Sequence, residues 1–315
     1  MKSLEIDKFK QAVETLVEKI GRKRKRYLIA CYISVIVITT LSAIFVFMNS
    51  DGLLTGLTFF VVLMAIVPCL MFYHALNYFY RKAGKKLLTD AISEASSMTY
   101  YPDGVMTLAE VFGHKILPLS DEDEHEDGFS GMYHDVMIDL QEMRLTDIEK
   151  RQNRATNNHA RQNPQIIEYD VFWGLVIRLR LKRAMEGHTV VMPKSRLQSA
   201  LRTKFTEFQK VNIVSPQWKK QYDVLSTDQI EARVILDPAF IERFMDAARI
   251  FKAKWMEVSF KDHEILFAVH RGKDLFEPPP LWQAVTRKNL EKVTRELEIV
   301  FDIIDTLKLN KQIGF

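Results

Sequence analysis

Two long apolar runs lie near the start of the chain, at residues 27–48 and 53–80, and neither contains Asp, Glu, Lys or Arg. Each run is long enough to cross the hydrocarbon core of a bilayer, roughly 30 Å thick, which takes about 20 helical residues. Pro68 would be costly inside a soluble helix, whereas membrane helices tolerate proline. The pattern therefore predicts a transmembrane helical hairpin over residues 27–80. Two buried core helices or a cleaved signal peptide are the alternatives, and the length and apolarity of the runs argue against both.

Basic residues mark both ends of the predicted hairpin. They fill residues 22–26 before the first run and four of the positions 81–86 after the second, whereas the connection 49–52 contains no Lys or Arg. Positive charge beside a membrane helix indicates the cytoplasmic side. We therefore expect a multi-pass protein of the inner (cytoplasmic) membrane with both termini in the cytoplasm.

An amphipathic stripe precedes the first run, because apolar residues recur at steps of three and four between Ile6 and Ile20. Residues 1–26 are thus predicted to be a cytoplasmic amphipathic and basic segment. Its apolar stripe could lie in the membrane interface, pack against a helix that continues from Arg81 to Ile92, or form a seam between copies of the chain. The sequence leaves these alternatives open.

Charge and cysteine usage agree with this topology. Much of the net charge of +4 lies in the basic residues beside the two runs, so the expected partner is the lipid bilayer and a nucleic-acid partner is not expected. Cys31 and Cys69 both lie inside the apolar runs, so the sequence offers no disulfide framework.

Residues 81–315 mix strand and helix patterns and are predicted to form a cytoplasmic α+β domain, a mixed but mainly antiparallel sheet with packed helices. The clearest strand alternates over residues 171–182, with one face in the core and one face turning basic. A hairpin is predicted over 255–270, around the turn 261–264. Further strands are expected at 136–140 and 188–193, helices at 197–208, from Asp237 onward and at 290–307, a polar loop at 150–164, and a rigid proline loop at 274–280.

The acidic run Asp121–Asp127 does not complete a calcium-binding loop. With Asp123 as the first ligand, the twelfth position falls on His134, where such a loop needs a bidentate Glu. We therefore expect a solvated acidic loop, and a metal site at this run is the alternative. The histidines lack the spacing of zinc ligands, so neither a metal site nor a cofactor is expected.

A family resemblance rests on four motifs, at Gly187–Pro193, Ser226–Pro238, Asp274–Pro278 and Leu307–Asn310. The most specific part is Thr227–Arg233 followed by Leu236–Pro238. With the two apolar runs, these motifs resemble a bacterial family of two-span membrane proteins, the domain of unknown function DUF3137. The resemblance is tightest from Tyr169 to Asn310, and the chain departs from it by extra prolines after Glu277 and a longer loop at 150–164. It implies the architecture and carries no activity.

One stretch brings an acid, an amide, a second acid and a guanidinium within about two helical turns. These predicted binding residues are Asp228, Gln229, Glu231 and Arg233. The alternative is a simple helix start, with Ser226 and Gln229 as a capping box and Asp228 in the first turn. No nucleophile motif or phosphate-binding loop accompanies them, so no catalytic residue is assigned.

A second candidate group is basic and lies at the end of the long strand, at Arg178, Arg180, Lys182 and Arg183. We expect these residues to contact anionic lipid or a partner protein, and the alternative is a solvated face of the sheet. No aromatic residue that could stack on a base lies among them, which again argues against nucleic acid.

The function that fits these patterns best is a membrane-anchored cytoplasmic interaction module. Self-association or contact with another membrane protein would supply its partner. An enzyme of unrecognised type at the inner membrane face is the first alternative. A small channel or transporter component is the second, weakened because neither apolar run carries a charged residue at mid-depth.

Overall fold

The computed structural model describes residues 2–48, 55–134, 136–151, 165–195, 206–213, 215–286 and Phe301. Contacts divide the chain into two compact units, one comprising Met1–Ser96 and Phe276–Thr294, the other Ser97–Leu275 and Arg295–Phe315. The described helices are α1 (Lys2–Met48), α2 (Thr55–Ser96), α3 (Leu108–Gly113), α4 (Pro216–Gln221), α5 (Gln229–Ile235) and α6 (Pro238–Ile250). The described strands are β1 (Thr99–Tyr101), β2 (Glu122–Tyr133), β3 (Val136–Arg151), β4 (Gln165–Arg180), β5 (His188–Pro193), β6 (Gln209–Val211), β7 (Tyr222–Ser226), β8 (Trp255–Lys261) and β9 (Glu264–His270).

The first unit is built on contacts between α1 and α2. The rings of Tyr27 and Tyr80 meet edge to face, with centroids 6.1 Å apart. Leu16 and Ile20 of the amphipathic stripe are buried, and so is Ile92 of α2. The described part of the stripe is therefore covered by protein, which favours helix packing over a position among lipid head groups.

The middle of α1 exposes its apolar side chains instead of burying them. By length and composition, Glu14–Ile44 could cross a membrane. Its most apolar stretch has a mean hydropathy of 2.2, and no residue of that stretch is buried. Tyr32, Ile36 and Leu41 are each more than half exposed, at 68%, 62% and 61%. The hydroxyl of Thr39 donates to the carbonyl oxygen of Val35 at 2.8 Å, so this polar group is satisfied within the helix.

The second predicted span, 53–80, falls partly outside the described residues. From Thr55 onward its backbone belongs to α2, but the side chains before Ile66 are outside the described part. Pro68 lies inside the helix, as expected for a membrane helix. The second crossing therefore stays a prediction.

The proline segment after Leu275 belongs to the first unit and binds the basic residues of both helices. Arg24 of α1 donates from Nε to the carbonyl oxygen of Leu281 at 2.9 Å and from Nη2 to that of Trp282 at 3.3 Å. Arg81 of α2 forms an ion pair with Glu277. The basic residues predicted to mark the cytoplasmic side thus also hold this segment.

All nine described strands of the second unit form one antiparallel sheet in the order β1-β2-β3-β4-β9-β8-β5-β7-β6. The α+β class and the β8–β9 hairpin are therefore confirmed. The expectation of a mixed sheet is wrong for the described residues, because neighbouring strands run in opposite directions throughout.

Both faces of the central sheet are covered. Residues 174–179 of β4 are all buried, so the alternative of a solvated sheet face is wrong for Arg178. On the first face, Val111 of α3 and Ile116 join the main apolar cluster with Phe172 of β4. On the second face, the rings of Phe240 in α6 and Phe260 in β8 lie 5.4 Å apart.

The acidic run 122–126 is part of β2, so the prediction of a loop is wrong. These residues are exposed and their backbone is paired with β3. Arg144 of β3 forms an ion pair with one of them, Glu124, at 3.7 Å and a second ion pair with Asp170 of β4 at 2.7 Å. The polar loop 150–164 is also shorter than predicted, since β3 reaches Arg151 and β4 begins at Gln165; residues 152–164 lie outside the described part.

The remaining helix predictions have mixed outcomes. Asp237 caps α6 as predicted, accepting the backbone N–H of Phe240 at 2.6 Å. The buried positions of α6 are Phe240, Ile241, Phe244 and Ala247, whereas Met245 and Ala248 are only partly buried. Most of the predicted helices 197–208 and 290–307 lies outside the described residues, and α4 and β7 were missed.

Replacing Gly84 by alanine should destabilise the first unit. A Cβ at Gly84 would lie 2.8 Å from Cγ of Pro278, and a proline ring cannot swing away. Gly21→Ala is the matched control, because nothing lies within 4 Å of its added Cβ and alanine favours the helix by about 0.5–1 kcal/mol. Thermal unfolding in detergent should show a lower midpoint for Gly84→Ala alone. Equal midpoints for the two variants would contradict this packing.

Candidate functional site

Asp228, the first of the predicted binding residues, immediately precedes helix α5. Its carboxylate oxygen Oδ1 accepts the backbone N–H of Ile230 at 2.8 Å and of Glu231 at 2.9 Å, which makes Asp228 the N-cap. The predicted capping box is wrong, because Ser226 is still the last residue of β7. Its hydroxyl donates to the carbonyl oxygen of Asp228 at 2.6 Å, so strand and helix are joined by a tight turn.

The other predicted binding residues lie on different sides of α5. Glu231 is buried and forms an ion pair with Arg183 at 3.5 Å, so the two candidate groups of the sequence meet at this contact. Arg233 is exposed, and its Nη2 donates to Oε1 of Gln229 at 3.3 Å. Within the described part of the chain no ion pair is formed by Arg233, which leaves donors of its guanidinium available to a ligand.

The exposed face of α5 carries two apolar residues near the guanidinium of Arg233. Ile230 is 75% exposed and Val234 is 57% exposed. These residues are four apart and therefore neighbours on one helix face. Arg233 precedes Val234, so a charged donor and an apolar ridge share a single helical turn.

A groove of about 620 Å³ adjoins Arg233, between α4, α5 and α6. Its apolar lining includes Leu236, Ile241 and Met245, and Trp218 closes one side. The indole Nε1 of Trp218 is buried and has no acceptor among the described residues. Grooves of roughly 300–1,000 Å³ with apolar walls and a few polar groups are typical of binding sites.

The four basic residues of the second candidate group are separated by the fold. Arg178 is only 2% exposed and binds Asp139 through Nε at 3.0 Å and Nη2 at 2.8 Å. Arg180 is partly exposed and also contacts Asp139, at 2.8 Å. Lys182 is exposed. Burial excludes Arg178 from any external ligand, whereas a contact of the other three with anionic lipid or a partner stays a prediction.

The stretch that holds α5, the groove and these basic residues is also the stretch that matches a protein family. Residues 170–309 match the DUF3137 family model, described as a protein of unknown function. The match covers a little under half of the chain and confirms the family resemblance. All candidate residues named so far in the groove and on α5 lie inside the DUF3137 segment, which concentrates the search for a function there.

Two further comparisons add little to the DUF3137 match. No curated protein matches the chain. The crystal structure of the mycobacterial trehalose monomycolate transport factor A, TtfA, is similar over 71% of this chain and 96% of that chain, at 13% sequence identity and a TM-score of 0.38. A similarity of this size carries no argument about function.

A buried polar chain that the sequence did not predict crosses the sheet. The hydroxyl of Ser259 in β8 lies 3.0 Å from Nδ1 of His114 and 2.8 Å from Nε2 of His188. Nε2 of His114 lies 3.2 Å from Glu264, which in turn lies 3.7 Å from Arg178. Acid, imidazole and hydroxyl in series resemble a catalytic relay, but Ser259 is fully buried and no substrate can reach it.

Only part of this chain had a sequence signal. His188 lies in a predicted strand, and Ser259 and Glu264 lie in the predicted hairpin. In that hairpin Glu264 is next to the turn, and Ser259 is two residues before the last residue of β8. His114 follows a short helix that no periodicity predicted. Its contact with Ser259 joins residues 145 positions apart, which one sequence cannot reveal.

The stability of the second unit should fall in mild acid because of His188. Burial, followed by the charge of His114, lowers the pKa of His188 from 6.5 to about 4. The unfolded chain therefore takes up a proton near pH 6.5, which the folded chain resists until about pH 4. The free energy of unfolding therefore contains the full contribution of neutral His188 above about pH 6.5. This contribution, about 3 kcal/mol, is lost as the pH falls to about 4.

Denaturant unfolding at a series of pH values measures this effect. The variant His188→Gln should reduce the dependence between about pH 6.5 and pH 4, and the part that remains comes from His114, whose pKa burial also lowers. His263→Gln, at an exposed position in the β8–β9 turn, is the matched control and should retain it. An unchanged pH profile in His188→Gln would show that the buried imidazole is not the source.

Proposed function

We propose that this protein is a membrane-anchored interaction module, with a cytoplasmic domain that binds a partner protein through α5 and the adjoining groove. The observation that carries the anchoring is the uncovered apolar surface of α1. Large apolar side chains between Ile29 and Ile44 are exposed where a soluble protein would bury them. Burying this surface in lipid removes it from water, and the predicted second span at 53–80 would return the chain to the same side.

The orientation of the proposed module follows from charge. Basic residues at 22–26 and 81–86 flank the two runs, and the connection 49–52 has none. Both termini would then be cytoplasmic, in a multi-pass protein of the inner membrane. The bacterial origin implied by the family resemblance fits this assignment.

The proposed interaction surface combines the apolar ridge of α5 with one guanidinium. Ile230 and Val234 offer an exposed apolar ridge, and Arg233 offers charged donors between this ridge and the groove. Such a surface complements a protein segment that carries a carboxylate next to apolar side chains. The carboxylate would bind Arg233 through charge-assisted hydrogen bonds, and the apolar side chains would bury against the ridge and the groove.

The alternatives have less support. For an enzyme, the Ser259–His114–Glu264 series is the best arrangement of reactive groups within the described residues, and it is closed to substrate by the burial of Ser259. For a channel or transporter, residues 27–48 contain no charged residue that could line an ion path. An interaction module needs neither feature.

The proposal is tested by photo-crosslinking in native membranes. A photoreactive residue is placed at Glu242, an exposed position that lines the groove, in the full-length chain. The expected crosslink is to one acidic, apolar segment of another membrane-associated protein, identified by mass spectrometry. Arg233→Glu should reduce its yield about tenfold, because a hydrogen bond to a charged group contributes about 1.5–3 kcal/mol.

Arg243→Glu is the matched control, since it makes the same charge change at an exposed position of α6 that does not line the groove. Its crosslink yield should equal that of the unaltered chain. Equal yields for Arg233→Glu and Arg243→Glu would reject the proposed surface. A crosslink to a second copy of this chain would replace the proposed partner with self-association.

A further inference from the structure

Three carboxylates, two from adjacent residues of β2 and one from β3, converge at a bulge of β2. The pairing of β2 with β3 shifts between Glu126 and Phe129. At this bulge Asp127 adopts a positive φ of 52° and turns into the protein, where it is fully buried. Glu142 of β3 is also buried, at 5% exposure, whereas Glu126 is exposed. One carboxylate oxygen from each of these three residues lies within 4.8 Å of the other two.

Glu142 supplies an observation beyond clustering. Its Oε1 accepts the backbone N–H of Leu275, which fixes the direction of the carboxylate. Its Oε2 is buried and has no hydrogen-bond partner among the described residues. A buried carboxylate oxygen without a donor costs free energy unless a cation or a proton compensates it. Glu142 therefore lies beside two further carboxylates while one of its own oxygens is uncompensated.

The spacing fits a calcium-sized ion. Calcium binds oxygen ligands at roughly 2.3–2.6 Å, so two of its ligands lie at most about 5 Å apart. One carboxylate oxygen from each of the three residues lies within 4.8 Å of the others, which is inside this limit. Tyr100 steadies the site, because its hydroxyl donates to Oδ1 of Asp127 at 2.7 Å.

We propose that Glu126, Asp127 and Glu142 bind a calcium-sized divalent cation, with the buried Oε2 of Glu142 as the defining ligand atom. Glu126 is exposed at the entrance of the site, which gives the ion a route from solvent. The cation would join β2 to β3 at the bulge, where backbone pairing is interrupted. This site lies outside the DUF3137 segment and is independent of the groove.

A proton on Glu142 is the rival explanation. Burial, reinforced by the charges of Asp127, Asp274 and Glu126, raises the pKa of Glu142 well above its ordinary value. A protonated Glu142 would need no ion, so the two explanations predict different responses to calcium.

The test uses the full-length protein in detergent after treatment with a chelator. Terbium, a calcium substitute, is added and its luminescence is excited through tyrosine, because Tyr100 contacts Asp127. The proposal predicts sensitised emission that calcium displaces with one ion per chain. It also predicts that calcium raises the thermal midpoint by several degrees at constant ionic strength.

Glu142→Gln removes the proposed ligand charge but keeps an acceptor for the N–H of Leu275. This variant should bind calcium at least tenfold more weakly and lose the thermal shift. Asp127→Asn is a second variant, because Asn tolerates a positive φ. Glu122→Gln, exposed in the same strand and outside the cluster, should behave like the unaltered chain.

Two results would overturn the proposal. Equal calcium binding by Glu142→Gln and the unaltered chain would place the ion on the exposed acids of β2. No calcium response in the unaltered chain, together with a higher midpoint of Glu142→Gln in metal-free buffer, would assign the compensation to a proton.

Discussion

An apolar helix surface that water disfavours is the constraint on which the rest of the account depends. Over its middle turns α1 exposes large apolar side chains such as Tyr32, Ile36 and Leu41, and no residue of its most apolar stretch is buried. The same helix changes character toward its start, where Leu16 and Ile20 are buried, and carries Arg24 between the two regions. Arg24 hydrogen-bonds the proline segment, so the transition from the apolar surface to protein packing coincides with a fixed backbone contact. Membrane anchoring explains this division with one physical cause.

The sheet domain is organised by a second constraint, the compensation of buried charge. Arg178 lies in the sheet interior with Asp139, and the polar contacts continue through Glu264 and His114 to Ser259. Because an unpaired charge there would cost several kcal/mol, each member depends on its neighbour. The strands that contribute these groups, β3, β4, β9 and β8, are consecutive in the sheet. The chain of contacts thus fixes their register, while α5 and the groove, on which the proposed interaction depends, remain exposed on the outside.

Local signals were sufficient for the parts of the fold that depend on neighbouring residues. The β8–β9 hairpin, the start of α6 at Asp237 and the apolar character of α1 all followed from periodicity, turns and caps. Predictions failed where tertiary contacts determine the structure. The acidic run is a strand because it pairs with β3, and Arg178 is buried because it forms an ion pair with Asp139. Arg233 was placed correctly on a helix, but the groove beside it depends on α4, which was missed. The convergence of Glu142 with Asp127 required the strand register.

The central claim is that the helices carry the chain across a membrane and back. Cysteine labelling of intact cells tests this claim most directly. The chain has two cysteines, Cys31 and Cys69, and both can be replaced by alanine to give a cysteine-free background. Single cysteines are then introduced by Ser50→Cys, in the predicted outer turn, and by Glu122→Cys, in the sheet domain. The account predicts that a membrane-impermeant maleimide labels the first in intact cells and the second only after permeabilisation. Labelling of the Glu122→Cys variant in intact cells, or release of the protein from membranes by alkaline carbonate, would contradict it.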